Sequence, residues 1–289
     1  MKSLLIYSRM WPPQLGYGTY KITESLSKES LKIAFDAGYR HIDCAAYYGN
    51  EAFLGIALSE LFKTYNRKDF FITSKIWPTM MQNVKDQLLI TLQDLQIEYL
   101  DLYLIHQPIV WDMDTQSISK KSLEQVWVEM EGCQRENLTK NIGVSNYSTK
   151  LVTELLNYCT IKPFMNQIEC SLEFQNDKVI KFCIEHNIHV TGYRTLMKSQ
   201  GTFDNISELK QMATKYNKTI PQIVIKWHLQ KWPKNYSILV KSANKSRCQQ
   251  NIDINDFALT KEEMIFLQTL DQNKRTCPGL PEWKLEMNE

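Results

Sequence analysis

Four segments of the chain carry side chains able to move or steer a proton: Asp43 and Tyr48 in HIDCAAYYGNE, Lys75 in FFITSK and His106 in LDLYLIH. Each lies just past a short apolar run. A carboxylate, a phenol, an ammonium and an imidazole are the groups that general acid–base chemistry uses. Taken singly, Asp43 reads as a strand-end cap, Tyr48 as packing, Lys75 as a solvated strand end and His106 as a core histidine. Together they ask for a fold that brings strand ends to one place, and a parallel barrel does this. The pattern reads as an enzyme.

The elements that must position them alternate along the chain. Strand candidates are LGYGTY (15–20), HIDCA (41–45), FFITSK (70–75), LDLYLIH (100–106), NIGVSN (141–146), FMNQIE (164–169), IHVTGY (188–193) and YSILVKS (236–242). Helices are expected to begin near Leu26, Glu51, Met81, Ser122, Thr149 and Asn176, then at Ile206 or Pro221, with one more after Ser246. Leu123, Val126, Val128, Met130 and Cys133 mark a helical stripe. Pro221 suits a first helical turn. Eight strand–helix units with mostly apolar strands predict a parallel sheet covered on both faces. In a chain of this length they predict a single α/β domain, a closed (β/α)8 TIM barrel spanning residues 1–289. No GxGxxG opens a helix after the first strand, which argues against a Rossmann fold and a phosphate loop.

The chain has 289 residues and a net charge of +2, which points to neither nucleic acid nor an acidic membrane surface as partner. No apolar run is long enough to span a bilayer, and MKSLLIYSRMWPP lacks the features of a secretion signal. Seven scattered cysteines with no CxxC pair predict free thiols in a reducing, cytoplasmic setting and no metal site. Five Asn-x-Ser/Thr sequons, starting at Asn137, Asn146, Asn205, Asn217 and Asn244, read as chance in that setting.

GYRHIDCAAYYGNE, ITSKIW, DLYLIH, IGVSN, NQIEC and VKSANKSRCQQN follow one another in the order, and nearly the spacing, of the aldo-keto reductases. The chain resembles that family from about Pro13 to Asp271. The resemblance implies a monomeric barrel holding a nicotinamide dinucleotide in extended form and reducing a small-molecule aldehyde or ketone. It implies that Tyr48 is the proton donor, with Lys75 lowering a phenol pKa ordinarily near about 10. Asp43 would hold Lys75 in a buried ion pair, and His106 would orient the carbonyl oxygen. Ser145, Asn146 and Gln167 would bind the nicotinamide carboxamide, and Tyr193 would stack on the ring. Gly18 and Thr19, closing the first strand, fall on the cofactor side. Lys241, Ser242 and Arg247 would meet a ribose phosphate, which favours NADPH/NADP over NADH. Gln250 and Asn251 would face the adenine. Pocket candidates are Tyr20, Tyr47, Trp77, Gln107 and Trp111, an aromatic lining suited to apolar carbonyls.

The chain departs from the family pattern in four places. Arg194, Thr195, Leu196 and Met197 replace the SPLG that often follows Tyr193, so Arg194 or Lys198 is expected at the pyrophosphate. Gln107 stands where a tryptophan often follows the histidine, and Ser171 and Leu172 replace His-Pro after NQIEC. The tail, RTCPGLPEWKLEMNE, reads as short, with Trp283 either walling the pocket or packing on the barrel. Two other readings stay open. One is a barrel kept as a cofactor-sensing or structural subunit of a larger assembly. The other is an isomerase-type barrel that uses KSANKSR as a substrate-phosphate site.

Overall fold

The computed structural model describes residues 11–196, 203 and 205–277. Eight parallel strands close on themselves: β1 (Leu15–Gly18), β2 (His41–Asp43), β3 (Phe71–Ile76), β4 (Leu102–Ile105), β5 (Ile142–Ser145), β6 (Met165–Glu169), β7 (His189–Tyr193) and β8 (Tyr236–Val240). Each neighbours the next in sequence, and β8 pairs with β1 to complete the barrel. The expected α/β barrel is the fold found.

Helices α1 (Glu24–Ala37), α2 (Glu51–Leu61), α3 (Val84–Leu95), α4 (Leu123–Arg135), α5 (Thr149–Tyr158) and α6 (Asp177–Glu185) connect successive strands. Two helices, α7 (Ser207–Tyr216) and α8 (Ile220–Lys231), fill the last crossover. Both Ile206 and Pro221 therefore mark real starts. Helices α9 (Lys245–Ile252) and α10 (Lys261–Gln268) follow β8. Helix α10 was not anticipated, although Thr260 and Glu263 form a reciprocal capping box at its start. Helix α3 begins three residues later than expected because Pro78–Met80 make a separate 3-10 turn and the Asn83 side chain caps the helix. Val128 does not belong to the α4 stripe. It is 57% exposed, and Trp127 is fully buried in its stead. The chain also adds a two-stranded hairpin, Trp111–Asp112 with Ser117–Ile118, beside the mouth.

Strand alternation decides what reaches the barrel axis. On β2 it sends His41 and Asp43 inward; on β3 Phe71, Thr73 and Lys75; on β7 His189, Thr191 and Tyr193. The intervening apolar residues, such as Ile42 and Val190, join the cluster beneath the helices. Register keeps the inward groups level: Gly18 pairs with Asp43, Ser145 with Gln167, and Glu169 with Tyr193. At the N-terminal end the barrel is filled by Phe71, Leu102, Leu104, Phe164 and Met165. Trp11 stacks on Phe164 at 5.1 Å below them. Gly16 makes room for the His41 ring, since a Cβ there would lie 2.6 Å from His41 Nδ1. Among the described residues no helix is long and apolar enough to cross a membrane, and none of the seven cysteines forms a disulfide.

Candidate active site

The four acid–base residues converge at the C-terminal mouth of the barrel. Strand β2 delivers Asp43, and the chain then makes one 3-10 turn, Ala46–Tyr48, closed by Gly49 in the left-handed region at φ 62°. That turn sets the Tyr48 hydroxyl 3.3 Å from Lys75 Nζ. Lys75, inward on β3, is fully buried, and a buried ammonium must be paired. Its three donors reach Asp43 Oδ2 at 2.7 Å, the Cys44 carbonyl at 2.8 Å and the Tyr48 oxygen. Asp43 Oδ1 accepts from Gln167 Nε2 at 2.7 Å. Its backbone carbonyl accepts both the N–H and the hydroxyl of Thr19. Four strands are thus tied around one ion pair.

Two electrostatic consequences follow. Loss of water around the half-buried Tyr48 phenol, reinforced by the Asp43 carboxylate, pushes its pKa well above 10. The Lys75 ammonium does not offset this, contrary to the lowering expected from sequence. The phenol is therefore firmly protonated at neutral pH. His106 continues β4 into the mouth, and burial, assisted by the Lys75 charge, holds its pKa well below 6.5. It is a neutral imidazole able to donate one hydrogen bond. Trp77, Tyr48 and Tyr47 surround its ring edge-on, with centroids at 4.9, 5.9 and 6.1 Å.

Beside this set lie the residues expected to hold the nicotinamide. Ser145 Oγ donates to the Gln167 carbonyl at 2.7 Å. Asn146, with φ 64°, has its whole amide engaged. Nδ2 donates to the His106 carbonyl and to Ser145 Oγ, while Oδ1 accepts from Tyr193 Oη at 2.7 Å and from Arg275 Nη2 at 3.3 Å. Gln167 Oε1 has no hydrogen-bond partner among the described residues. It is the open acceptor of the set.

The residues expected toward the adenosine end follow β8. Lys241 and Arg247 are exposed, and neither makes an ion pair among the described residues. Ser242 is pinned through its carbonyl by Tyr17 Oη at 2.8 Å and Cys248 Sγ at 3.0 Å. Gln250 is exposed and Asn251 is 5% exposed, near the Tyr39 phenol, whose hydroxyl donates to the Cys248 carbonyl at 3.3 Å. Gly18 and Thr19 lie beneath the Asp43 ion pair, with Thr19 fully buried.

Of the pocket residues, Tyr20 and Tyr47 are about half exposed and flank Tyr48. Tyr20 lies 5.0 Å from the Tyr48 ring, and Tyr47 stacks on Trp77 at 3.8 Å and 18°. Trp111 packs through the hairpin against Trp77 and Ile109. Gln107 follows His106, and its buried Oε1 has no hydrogen-bond partner among the described residues.

Arg194 is not aimed at open space. Its guanidinium donates to the carbonyl and hydroxyl of Thr276 at 2.6 and 3.0 Å. Lys198, the other cation considered for the pyrophosphate, and Trp283 lie outside the described residues. The partner of Arg194 belongs to a segment that sequence reasoning passed over. Glu169, fully buried, accepts from Thr276 N (2.8 Å), Thr276 Oγ1 (2.6 Å) and Cys277 N (2.9 Å), so residues 275–277 lie across the mouth. Strand alternation carried two residues on from Gln167 would have placed Glu169 there. A second omission is Glu51, whose carboxylate accepts from Ser74 Oγ at 2.5 Å and Thr91 Oγ1 at 3.1 Å behind Lys75. Burial pushes its pKa to about 7. Among the described residues no cluster of His, Cys, Asp and Glu could hold a metal ion.

Comparison with known proteins places this geometry. Residues 14–272 match the model of the Aldo/keto reductase family. The chain is 37% identical to aldose reductase B of Dictyostelium discoideum, over 92% of this chain and 91% of the relative. It is 32% identical to the NADP-dependent D-sorbitol-6-phosphate dehydrogenase of Malus domestica, over 99% of both. Among solved structures it is similar to the aldose reductase of Giardia lamblia (TM-score 0.89, 33% identity, 96% of this chain and 99% of the other). It is also similar to a Bombyx mori aldo-keto reductase in complex with NADP (TM-score 0.84, 29% identity, 92% and 91%).

Proposed function

The chain belongs to the Aldo/keto reductase family, and from that premise we propose how its mouth reduces aldehydes and ketones with NADPH, Tyr48 delivering the proton. It is an NADP-dependent oxidoreductase acting on carbonyls. The observation that carries the assignment of roles is the Tyr48 hydroxyl standing over the buried Lys75–Asp43 pair.

The residues present fit a nicotinamide dinucleotide with a ribose phosphate. Gln167 Oε1 is an open acceptor beside the acid–base set, and the exposed cations of Lys241 and Arg247 make no ion pair among the described residues. Ser145, Asn146, Gln167 and Tyr193 would hold the nicotinamide end, and Lys241, Ser242, Arg247 and Gln250 the adenosine end. When bound, the dinucleotide supplies a hydride from the nicotinamide C4 to the carbonyl carbon.

The protein's own part is the charge that develops on the oxygen. Neutral His106 donates a hydrogen bond to that oxygen and fixes its direction. Tyr48, which carries its proton at neutral pH, gives it up as the alkoxide forms. The phenolate left behind faces the Lys75 ammonium, so the ion pair acts at the moment when the charge appears. Asp43 holds the Lys75 ammonium in place. Tyr20, Tyr47 and Trp77 give the substrate a flat aromatic wall, which favours an apolar carbonyl compound over a phosphorylated sugar. Cysteines outside any disulfide accord with the cytoplasmic setting we assign to the enzyme.

The test is oxidation of NADPH and of NADH, followed at their absorbance, with an aromatic aldehyde. Aldehyde-dependent oxidation is expected, at least ~10-fold more efficient with NADPH because two cations await its extra phosphate. NADPH binding without turnover across several aldehydes would contradict catalysis and favour a cofactor-sensing subunit.

A further inference from the structure

The Asn146 amide, read above as a ligand of the nicotinamide carboxamide, has no capacity to spare. An amide oxygen offers two lone pairs and its nitrogen two N–H donors. Tyr193 Oη and Arg275 Nη2 fill the oxygen, and the His106 carbonyl and Ser145 Oγ take the nitrogen. A carboxamide N–H can reach Oδ1 only if one of the two donors leaves. Tyr193 sits at 2.7 Å and ends a barrel strand. Arg275 sits at 3.3 Å on a long side chain that is 13% exposed. Arg275 is the displaceable donor.

A destination for it is built in. Arg275 Nε already stands 3.6 Å from Glu169 Oε2, within ion-pair distance but beyond a hydrogen bond. The backbone beside it is fixed from two sides. Glu169 holds the N–H groups of Thr276 and Cys277, and Arg194 holds the Thr276 carbonyl and hydroxyl. The guanidinium can therefore change partner while its segment stays fastened. We propose that Arg275 and Glu169 are positioning residues for the nicotinamide. Arg275 keeps the carboxamide's place on Asn146, and it turns onto Glu169 when the dinucleotide binds. Arg194, which stands where the family often has a serine, fastens the segment that makes this exchange repeatable.

The proposal rests on the reading of Asn146 as a cofactor ligand, and the experiment separates the two. Dissociation constants for NADP+ and for 2′,5′-ADP, which lacks the nicotinamide, are measured by calorimetry for wild type, Arg275→Met and Glu169→Gln. Arg275→Met should bind NADP+ about fivefold more tightly, because a competing charged donor is gone. Its affinity for 2′,5′-ADP should not change. Glu169→Gln removes the destination charge and should weaken NADP+ about fivefold, again without moving 2′,5′-ADP. Wild type that binds neither ligand would end the cofactor reading itself. Wild type that binds both, with NADP+ affinity unchanged or weaker in Arg275→Met, would overturn the exchange while leaving that reading intact. An equal shift for both ligands would reduce Arg275 to a structural contact and also overturn it. Should Glu169→Gln fail to fold, Arg275→Met decides alone.

Discussion

Strands β2, β3, β6 and β7 each send side chains to both ends of one barrel interior, and the two ends use polar groups in opposite ways. Toward the N-terminal end His41 pairs with Thr73 Oγ1 at 3.2 Å and His189 with Ser237 Oγ at 3.0 Å. Thr191 joins Ser237 at 2.7 Å and Met165 Sδ at 3.0 Å. Every group there is neutral, and aromatic packing seals it. Burial lowers the pKa of His41 to about 4 and of His189 to about 3. At the mouth the same strands present Asp43, Lys75, Gln167, Glu169 and Tyr193. There ionised groups are held in place by hydrogen bonds, and a phenol and an imidazole face outward from them. A buried neutral pair only has to satisfy itself. A buried ion pair is costly to desolvate, and its retention at the mouth fits a reaction that makes negative charge there. One end of the barrel is built for stability and the other for chemistry.

The comparison breaks most sharply at Lys75. Lys75→Met should abolish measurable turnover and also cost about 3–5 kcal/mol of stability, because Asp43 is left as an uncompensated buried charge. Urea unfolding and an NADPH assay on the same preparation would show both losses. A variant with full stability and no activity would mean that the ion pair carries no structural load, and the contrast between the two ends would sharpen further.

The buried histidines should show themselves through pH. His41, His189 and His228 are held neutral in the fold at about 4, about 3 and about 3, against 6.5 when unfolded. The unfolded chain binds their protons first, so stability is full above pH 6.5 and is lost as pH falls toward 4. Glu51 runs the other way. Its folded pKa of about 7 lies above the unfolded 4.5, so the fold gains stability as pH falls through 7. Between pH 7 and pH 5 the three histidines together cost roughly 5–6 kcal/mol and Glu51 returns roughly 2. A net loss of about 3–4 kcal/mol is expected, before the depressed His106 adds to it. A urea midpoint unchanged between pH 7 and pH 5 would contradict the neutral state of these buried histidines.

The barrel was legible because its strands are short apolar runs whose spacing repeats eight times. The four acid–base residues were legible because each sits where such a run stops. Less of the rest could be read. Glu169 was hidden by its context, since NQIEC drew attention to Gln167, and the partners of Glu169 lie more than 100 residues later in the chain. Arg194 showed as an unusual residue, but its contact with Thr276 depends on how the segment after α10 crosses the mouth, which no local pattern encodes. On α9 Arg247 and Gln250 are exposed while Asn251 is buried, a difference set by the pitch of the helix that the motif alone does not show. The pKa of Tyr48 was misjudged because a neighbouring cation is visible in sequence and desolvation is not.

The most direct test of the mouth's chemistry is Tyr48→Phe, assayed for NADPH oxidation with an aromatic aldehyde and, separately, for NADP+ affinity. The substitution removes one hydroxyl from a ring that otherwise keeps its packing. If Tyr48 is the proton donor, turnover should fall at least ~100-fold while NADP+ affinity stays near wild type. Turnover within a few-fold of wild type would place the donor elsewhere, and His106 would become the first candidate.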